Sequence, residues 1–301
     1  MNAHAPSKTR FLLPEVLARI RSLDLLARTV VEGFIAGLHR SPYLGFSTDF
    51  AEYRPYMPGD DLRALDWKLL GRTDRYYVKK FEGETNTHCT LIVDASTSME
   101  YGSGPLTKRE YACYLAASLA YLAYRQQDGV GLVTFADGLL EHIPARQRPG
   151  HLQAVLTALD RMTSKRETNV SQTLHTVAEV IKKRGIIVVI SDLYGQPDEL
   201  MTGLKHLRFR GHDVIVFHLL DEAELSFPFV DPVNMEDLET GERLHVVPEY
   251  LREEYLKLIQ AHIHTLKTEC GRAEIDYTLI NTSQPLDWAL FAYLSRRAKV
   301  H

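Results

Sequence analysis

Cysteine is scarce in this sequence, and its distribution excludes a disulfide framework. Cys89, Cys113 and Cys270 are odd in number, widely spaced and contain no Cys-x-x-Cys pair, a pattern that suits a reducing compartment. They read as buried apolar positions. Long hydrophobic runs are missing too. The most apolar internal stretch, residues 185–190, is far too short to span a bilayer, and the segment MNAHAPSKTRFLLPEVLARIRS has no long apolar core before its charges. A cytoplasmic protein without a membrane span is expected. Nor does charge of one sign dominate: 35 basic residues face 39 acidic ones, for a net charge of -4, which removes any global pull toward nucleic acid or an anionic membrane. Several catalytic signatures are also absent. There is no Gly-x-x-x-x-Gly-Lys-Ser/Thr loop, since GSGPLTK at 102–108 lacks the spacing, and no Gly-x-Ser-x-Gly elbow. Among 13 histidines there is no His-Glu-x-x-His. His262 and His264, two apart on a predicted helix, point to different faces.

What is present is an ordinary folded composition, 45% hydrophobic and 25% charged over 301 residues, enough for one large domain or a medium domain with an appendage. From Pro14 to about His39, Val16, Leu17, Ile20, Leu23, Leu26, Val30 and Phe34 recur at spacings of three and four. This predicts an amphipathic helix with a break near Gly33. Between Ser41 and Glu84 the chain turns aromatic, charged and rich in Pro and Gly, which reads as short strands and turns in an irregular appendage. After Glu84 a βα alternation begins. Strands are predicted at 88–94, 129–135, 185–192, 213–220 and 274–279. Helices are predicted at 108–126, 150–161, 170–183, 197–209, 248–269 and 285–298. Strings such as IIVVI and VIVFHLL are what a parallel sheet covered on both faces requires. The fold class is therefore α/β, a doubly wound, mainly parallel sheet, with domains at 1–84 and 85–301 and a hairpin inserted near 233–247 around Thr240 and Gly241.

In such a sheet, ligands bind beyond the carboxyl ends of the strands where the winding reverses. LIVDASTSM, residues 91–99, puts Asp94 at the end of the first buried strand with Ser96 and Ser98 at alternate positions after it. That spacing lets one turning loop aim three oxygens at a point, as a hard divalent cation such as Mg²⁺ or Mn²⁺ needs. Thr168, in the loop RETNV before a helix, and Asp192, closing the IIVVIS strand, are the natural further donors. The same residue types also suit a plain turn or helix cap; the positions of Thr168 and Asp192 at the ends of correctly ordered elements favour the cation.

These residues resemble the metal-ion-dependent adhesion site of the von Willebrand factor A family. The resemblance implies that Ser96, Ser98 and Thr168 coordinate through hydroxyls while Asp94 and Asp192 act largely through bound water. A metal with neutral direct ligands then seeks an acidic sixth ligand, usually a partner's Glu or Asp. A second resemblance is carried by DFAEYRPYMPGDDLRALDWKLLGRTDRYYVKKFEGE at 49–84, with HRSPYLG just before it, and by the KREYACYLAASLA helix. These look like the signature of the bacterial domain-of-unknown-function family fifty-eight, and the match covers most of residues 35–220. Many members carry transmembrane helices upstream of this block. Relatives are typically encoded beside MoxR-type AAA+ ATPases, which implies such an ATPase as partner.

Seven basic and seven acidic residues lie between Ala51 and Glu84, a balance unlike a phosphate-tracking stripe. Arg54, Asp60, Asp61, Arg63 and Asp66 read equally as an ion-pair network or as a partner-docking surface. The expected function is a non-enzymatic, metal-dependent adaptor. The alternative is a Mg²⁺-dependent hydrolase of phosphoesterase type using the same cation as Lewis acid.

Overall fold

The strands whose sequences are nearly unbroken Ile, Val and Leu occupy the middle of the sheet. In the computed structural model the described residues are 14–17, 22–39, 52–55, 77–80, 87–165 and 170–287, together with Ala289, Leu290, Tyr293 and Leu294. The strands are β1 (Glu52–Pro55), β2 (Tyr77–Lys80), β3 (His88–Asp94), β4 (Gly129–Phe135), β5 (Leu139–Arg146), β6 (Ile186–Ser191), β7 (Asp213–Leu220), β8 (Val233–Glu236), β9 (Arg243–Val246) and β10 (Asp276–Asn281). The helices are α1 (Pro14–Leu17), α2 (Leu23–His39), α3 (Lys108–Arg125), α4 (His151–Asp160), α5 (Val170–Val180), α6 (Pro197–Phe209), α7 (Glu222–Ser226) and α8 (Pro248–Arg272).

The main sheet has the order β10-β7-β6-β3-β4-β5. All neighbours are parallel except β4 and β5. From β3 the chain winds outward to β4 and β5, then returns to β6 on the other side of β3, so the reversal of winding falls between β3 and β6. Every residue of β4 and β6 is buried, as double coverage demands. One face presents Ile92, Val133, Ile187, Val189, Val214 and Val216 to Leu174, Val177, Leu200, Leu204, Leu207 and Leu266 of α5, α6 and α8. The opposite face takes α3, whose Ala112, Ala116, Ala117, Ala120 and Ala123 are buried. Small side chains let this helix lie close to the sheet while Leu115, Leu119 and Leu122 fill the remaining gaps.

Two glycines are set by close approach. A methyl on Gly131 would lie 2.7 Å from the Ala145 nitrogen, where β4 and β5 slip register, and one on Gly185 would run into the His88 carbonyl. Both positions exclude a side chain for steric reasons alone.

Two departures from the sequence reading concern local structure. The helix α2 runs unbroken through Gly33: Leu26, Ala27, Val30 and Val31 bury completely around it, which outweighs the roughly 1 kcal/mol a helical glycine costs. The strand β5 was not expected. Its sequence LLEHIPAR is half-exposed along its length and carries Pro144, which an antiparallel edge tolerates and a central strand does not.

The chain divides into two compact units, residues 1–35 with 87–301, and residues 36–86. In the second unit β1 and β2 form an antiparallel ladder from Glu52 opposite Lys80 to Pro55 opposite Tyr77. No helix among the described residues is long and apolar enough to cross a membrane.

Candidate metal and ligand site

Asp94 is the last residue of β3 and Asp192 the first after β6, so sheet topology alone brings both to the crevice where the winding reverses. Both are buried. The Asp94 carboxylate is held on two sides: Oδ1 accepts the Ser96 N–H at 2.8 Å, and Oδ2 accepts the Ser191 hydroxyl at 2.5 Å. Ser191 Oγ in turn accepts the Leu193 N–H at 2.9 Å. The loop after β3 is braced from its other side by a parallel bridge between Ser96 and Lys165, whose N–H donates to the Ala95 carbonyl at 2.9 Å. A short 3-10 turn, Thr97–Glu100, follows. The Ser96 and Ser98 hydroxyls share a hydrogen bond of 3.0 Å, and the Ser98 N–H donates to Glu239 Oε1 at 2.6 Å.

The electrostatics of the crevice are unbalanced. Burial first, and the neighbouring Asp192 second, push the Asp94 carboxyl up to about 7. Asp192 Oδ2 accepts the Lys108 ammonium at 2.8 Å, and the same ammonium donates to Glu224 Oε1 at 2.8 Å while lying 4.8 Å from the centre of the Tyr194 ring. Lys108 is completely buried. Burial works to discharge it, but Asp192 and Glu224 outweigh that and hold its pKa above the ordinary lysine value. His218, which pairs with Ser191 across β6 and β7, adds no positive charge. Burial, then His262, push it down to about 3, and its Nδ1 shares a hydrogen bond of 2.6 Å with the Tyr277 hydroxyl.

Asp94, Ser96 and Ser98 are thus gathered at one point, with Asp192 nearby and engaged by Lys108. Thr168 lies outside the described residues, as do Asp60, Asp61, Arg63 and Asp66; of the signature block's candidates, the Arg54 backbone sits in β1 opposite Val78. Among the described residues no group of three or more His, Cys, Asp or Glu side chains is placed to hold a metal, so any cation here would rest on hydroxyls supported by one or two carboxylates. Donor type and charge both fit a hard cation. The oxygens are hydroxyl and carboxylate, and the Lys108 ammonium is paired with Asp192 and Glu224, while the buried Asp94 carboxyl is held by the Ser96 N–H and the Ser191 hydroxyl.

Lys108, Ser191, Glu224 and Glu239 are not marked as site residues by any motif in the sequence. Lys108 had one signal: a lysine in the first turn of a helix opposes the macrodipole and needs a specific reason to be there. The others had none, since Glu224 and Glu239 are brought in from distant segments.

A family model described as "Protein of unknown function DUF58" matches residues 52–265. Uncharacterized protein Rv1480 of Mycobacterium tuberculosis and Mb1516 of Mycobacterium bovis are each 27% identical to this chain over 293 residues, covering 94% of it and 88% of their own length. Among solved structures, conserved hypothetical protein BatB from Bacteroides thetaiotaomicron is similar at 17% identity with a TM-score of 0.48, covering 71% of this chain and 99% of its own. The SpRpn10 VWA domain is similar at 14% identity with a TM-score of 0.40, covering 68% and 94%.

Proposed function

Because this chain belongs to the DUF58 family, described only as of unknown function, its role must be read from its own site, and we propose that it is a protein-binding adaptor. In this reading Asp94, Ser96 and Ser98, with Thr168 and Asp192 contributing, hold Mg²⁺ or Mn²⁺, and the metal receives an acidic side chain from a partner. The observation that carries it is the 3.0 Å separation of the Ser96 and Ser98 hydroxyl oxygens beside Asp94. Two adjacent ligands of an octahedral ion bound at 2.0–2.1 Å lie about 2.9 Å apart. The raised pKa of Asp94 adds to the case, because a buried carboxyl that resists ionisation alone is stabilised in its charged form by a cation. When bound, the metal would supply a Lewis-acidic attachment point. The protein's own residues position it: Ser191 and the Ser96 N–H orient Asp94, and Lys108 orients Asp192.

Binding is favoured over hydrolysis on the roles of the two acids. A metal-activated water needs a base to receive its proton. In this reading Asp94 is committed to the cation itself, and Asp192 is engaged by Lys108.

Calorimetric titration of Mg²⁺ and Mn²⁺ into the full chain is expected to show close to one equivalent bound, with Ser98→Ala weakening it by roughly 10–100-fold, the size typical of a lost positioning or ligating group. Heat-silent titrations of both proteins would sink the reading. The partner we assign, on the family resemblance, is a MoxR-type AAA+ ATPase. Co-purification with that ATPase is expected in Mg²⁺ and nucleotide and should be lost in chelator; retention in chelator would separate the partner from the metal.

A further inference from the structure

The Ser98 N–H reaches across 141 residues of chain to Glu239 Oε1. Glu239 sits at the tip of the β8–β9 hairpin, and the turn there is built to hold it. Asp237 Oδ1 accepts from the N–H groups of Glu239 at 2.7 Å and Thr240 at 3.1 Å. The Asp237 N–H donates to the Glu242 carbonyl at 2.8 Å, the Gly241 N–H donates to the Asp237 carbonyl at 2.7 Å, and Gly241 takes the positive φ of 77° that closes the turn. Along the ladder, Arg243 pairs with Glu236 at 2.9 Å and His245 with Asn234 at 2.8 Å. The hairpin is therefore a coherent unit.

Little apolar surface holds that unit down. Leu244 is 64% exposed, and within β8 and β9 only Val246, at the root, is buried. The root is fixed further by Arg252, which donates to the Phe229 carbonyl. An internally bonded hairpin anchored at its base, exposed along its strands and carrying a carboxylate at its tip into the crevice has the form of a hinged strap.

Building on the adaptor reading above, we propose that the Ser98 position is a carboxylate-receiving subsite, that Glu239 fills it in the resting chain, and that the partner displaces the hairpin by presenting an acidic side chain on an exposed turn. The strap competes as an intramolecular ligand, so its effective concentration is far above that of a partner's free carboxylate. Removing the Glu239 carboxylate, acceptor and all, opens the subsite. A carboxylate entering beside Asp94 and Asp192 also meets like charge, so a bound cation strengthens the seat of Glu239 and of its replacement alike.

The test compares wild type with Glu239→Ala, which removes the acceptor itself, and Ser98→Ala, all as full chains. In chelator, amide hydrogen exchange at Ser98 and across residues 235–244 is expected to quicken at least about tenfold in Glu239→Ala. In Ser98→Ala, which keeps the backbone N–H, it stays close to wild type. Unchanged exchange in Glu239→Ala overturns the strap. With and without Mg²⁺, the synthetic peptide EDLETGER, which copies residues 236–243, is expected to bind Glu239→Ala about tenfold or more tighter than wild type, and the peptide with Ala at its Glu239 position is expected not to bind. Equal affinity for both proteins under both conditions overturns the subsite. Faster exchange in Glu239→Ala together with heat-silent metal titrations leaves the strap standing and removes the metal.

Discussion

Lys108→Met is expected to lower the unfolding free energy by about 3–5 kcal/mol, the cost of removing one partner from a buried ion pair. Lys108 is wholly buried, and its ammonium contacts Asp192 and Glu224 at 2.8 Å each. Burial and the helix macrodipole both oppose a cation in the first turn of α3, so these two carboxylates, with the Tyr194 ring 4.8 Å away, are what keep it there. Once the ammonium is gone they remain as unpaired buried acids. Urea denaturation followed by circular dichroism measures the loss, and the double variant Lys108→Met/Glu224→Gln is expected to recover part of it, since one of the stranded charges is removed with its partner. A loss below about 1 kcal/mol, within the range of an exposed pair, would mean that the ammonium is not what balances this crevice.

Asp94→Asn is expected to act in the opposite direction on the metal-free protein, raising its stability at pH 8 by up to about 4 kcal/mol. In the folded chain the Asp94 carboxyl is pushed up to about 7 from an ordinary 3.8, by burial and then by Asp192. Below pH 3.8 both folded and unfolded states are protonated there and wild type suffers no penalty. Between 3.8 and 7 the unfolded state ionises first, so wild-type stability falls as pH rises; above 7 the penalty is complete. The melting temperatures of wild type and Asp94→Asn in chelator should therefore be close near pH 4 and diverge toward pH 8. The asparagine has partners waiting, since its oxygen can accept the Ser96 N–H and its amide can donate to Ser191 Oγ. Saturating Mg²⁺ is expected to stabilise wild type by mass action and leave the variant unmoved. A gap of the same size at pH 4 and pH 8 would show that Asp94 does not carry the charge strain assigned to it.

In the crevice the Lys108 ammonium pairs with Asp192 and Glu224, while burial and then Asp192 raise the Asp94 carboxyl. Glu239 adds a further carboxylate at the mouth of that crevice.

Much of the architecture is legible in the sequence because burial on both faces writes itself as uninterrupted Ile, Val and Leu. The strands at His88–Asp94, Gly129–Phe135 and Asp213–Leu220 have the bounds their apolar strings predict. The hairpin at 233–247 is visible because Thr240 and Gly241 interrupt two short strands. Where coverage is one-sided the signal fades: β5, half-exposed and interrupted by Pro144, has neither the alternation nor the apolar run that marks a strand.

The sequence by itself determined the doubly wound order of elements and the placing of Asp94, Ser96 and Ser98 together, since residues two apart on one loop need no tertiary information to be neighbours. Tertiary structure alone decided that Lys108 enters the crevice to meet Asp192 and Glu224, that Ser191 reaches back to Asp94, and that Glu239 closes over Ser98. Those contacts span 84, 116, 97 and 141 residues. Local propensity and spacing carry no record of them, because what joins these groups is the packing of a whole sheet and the charge it leaves buried.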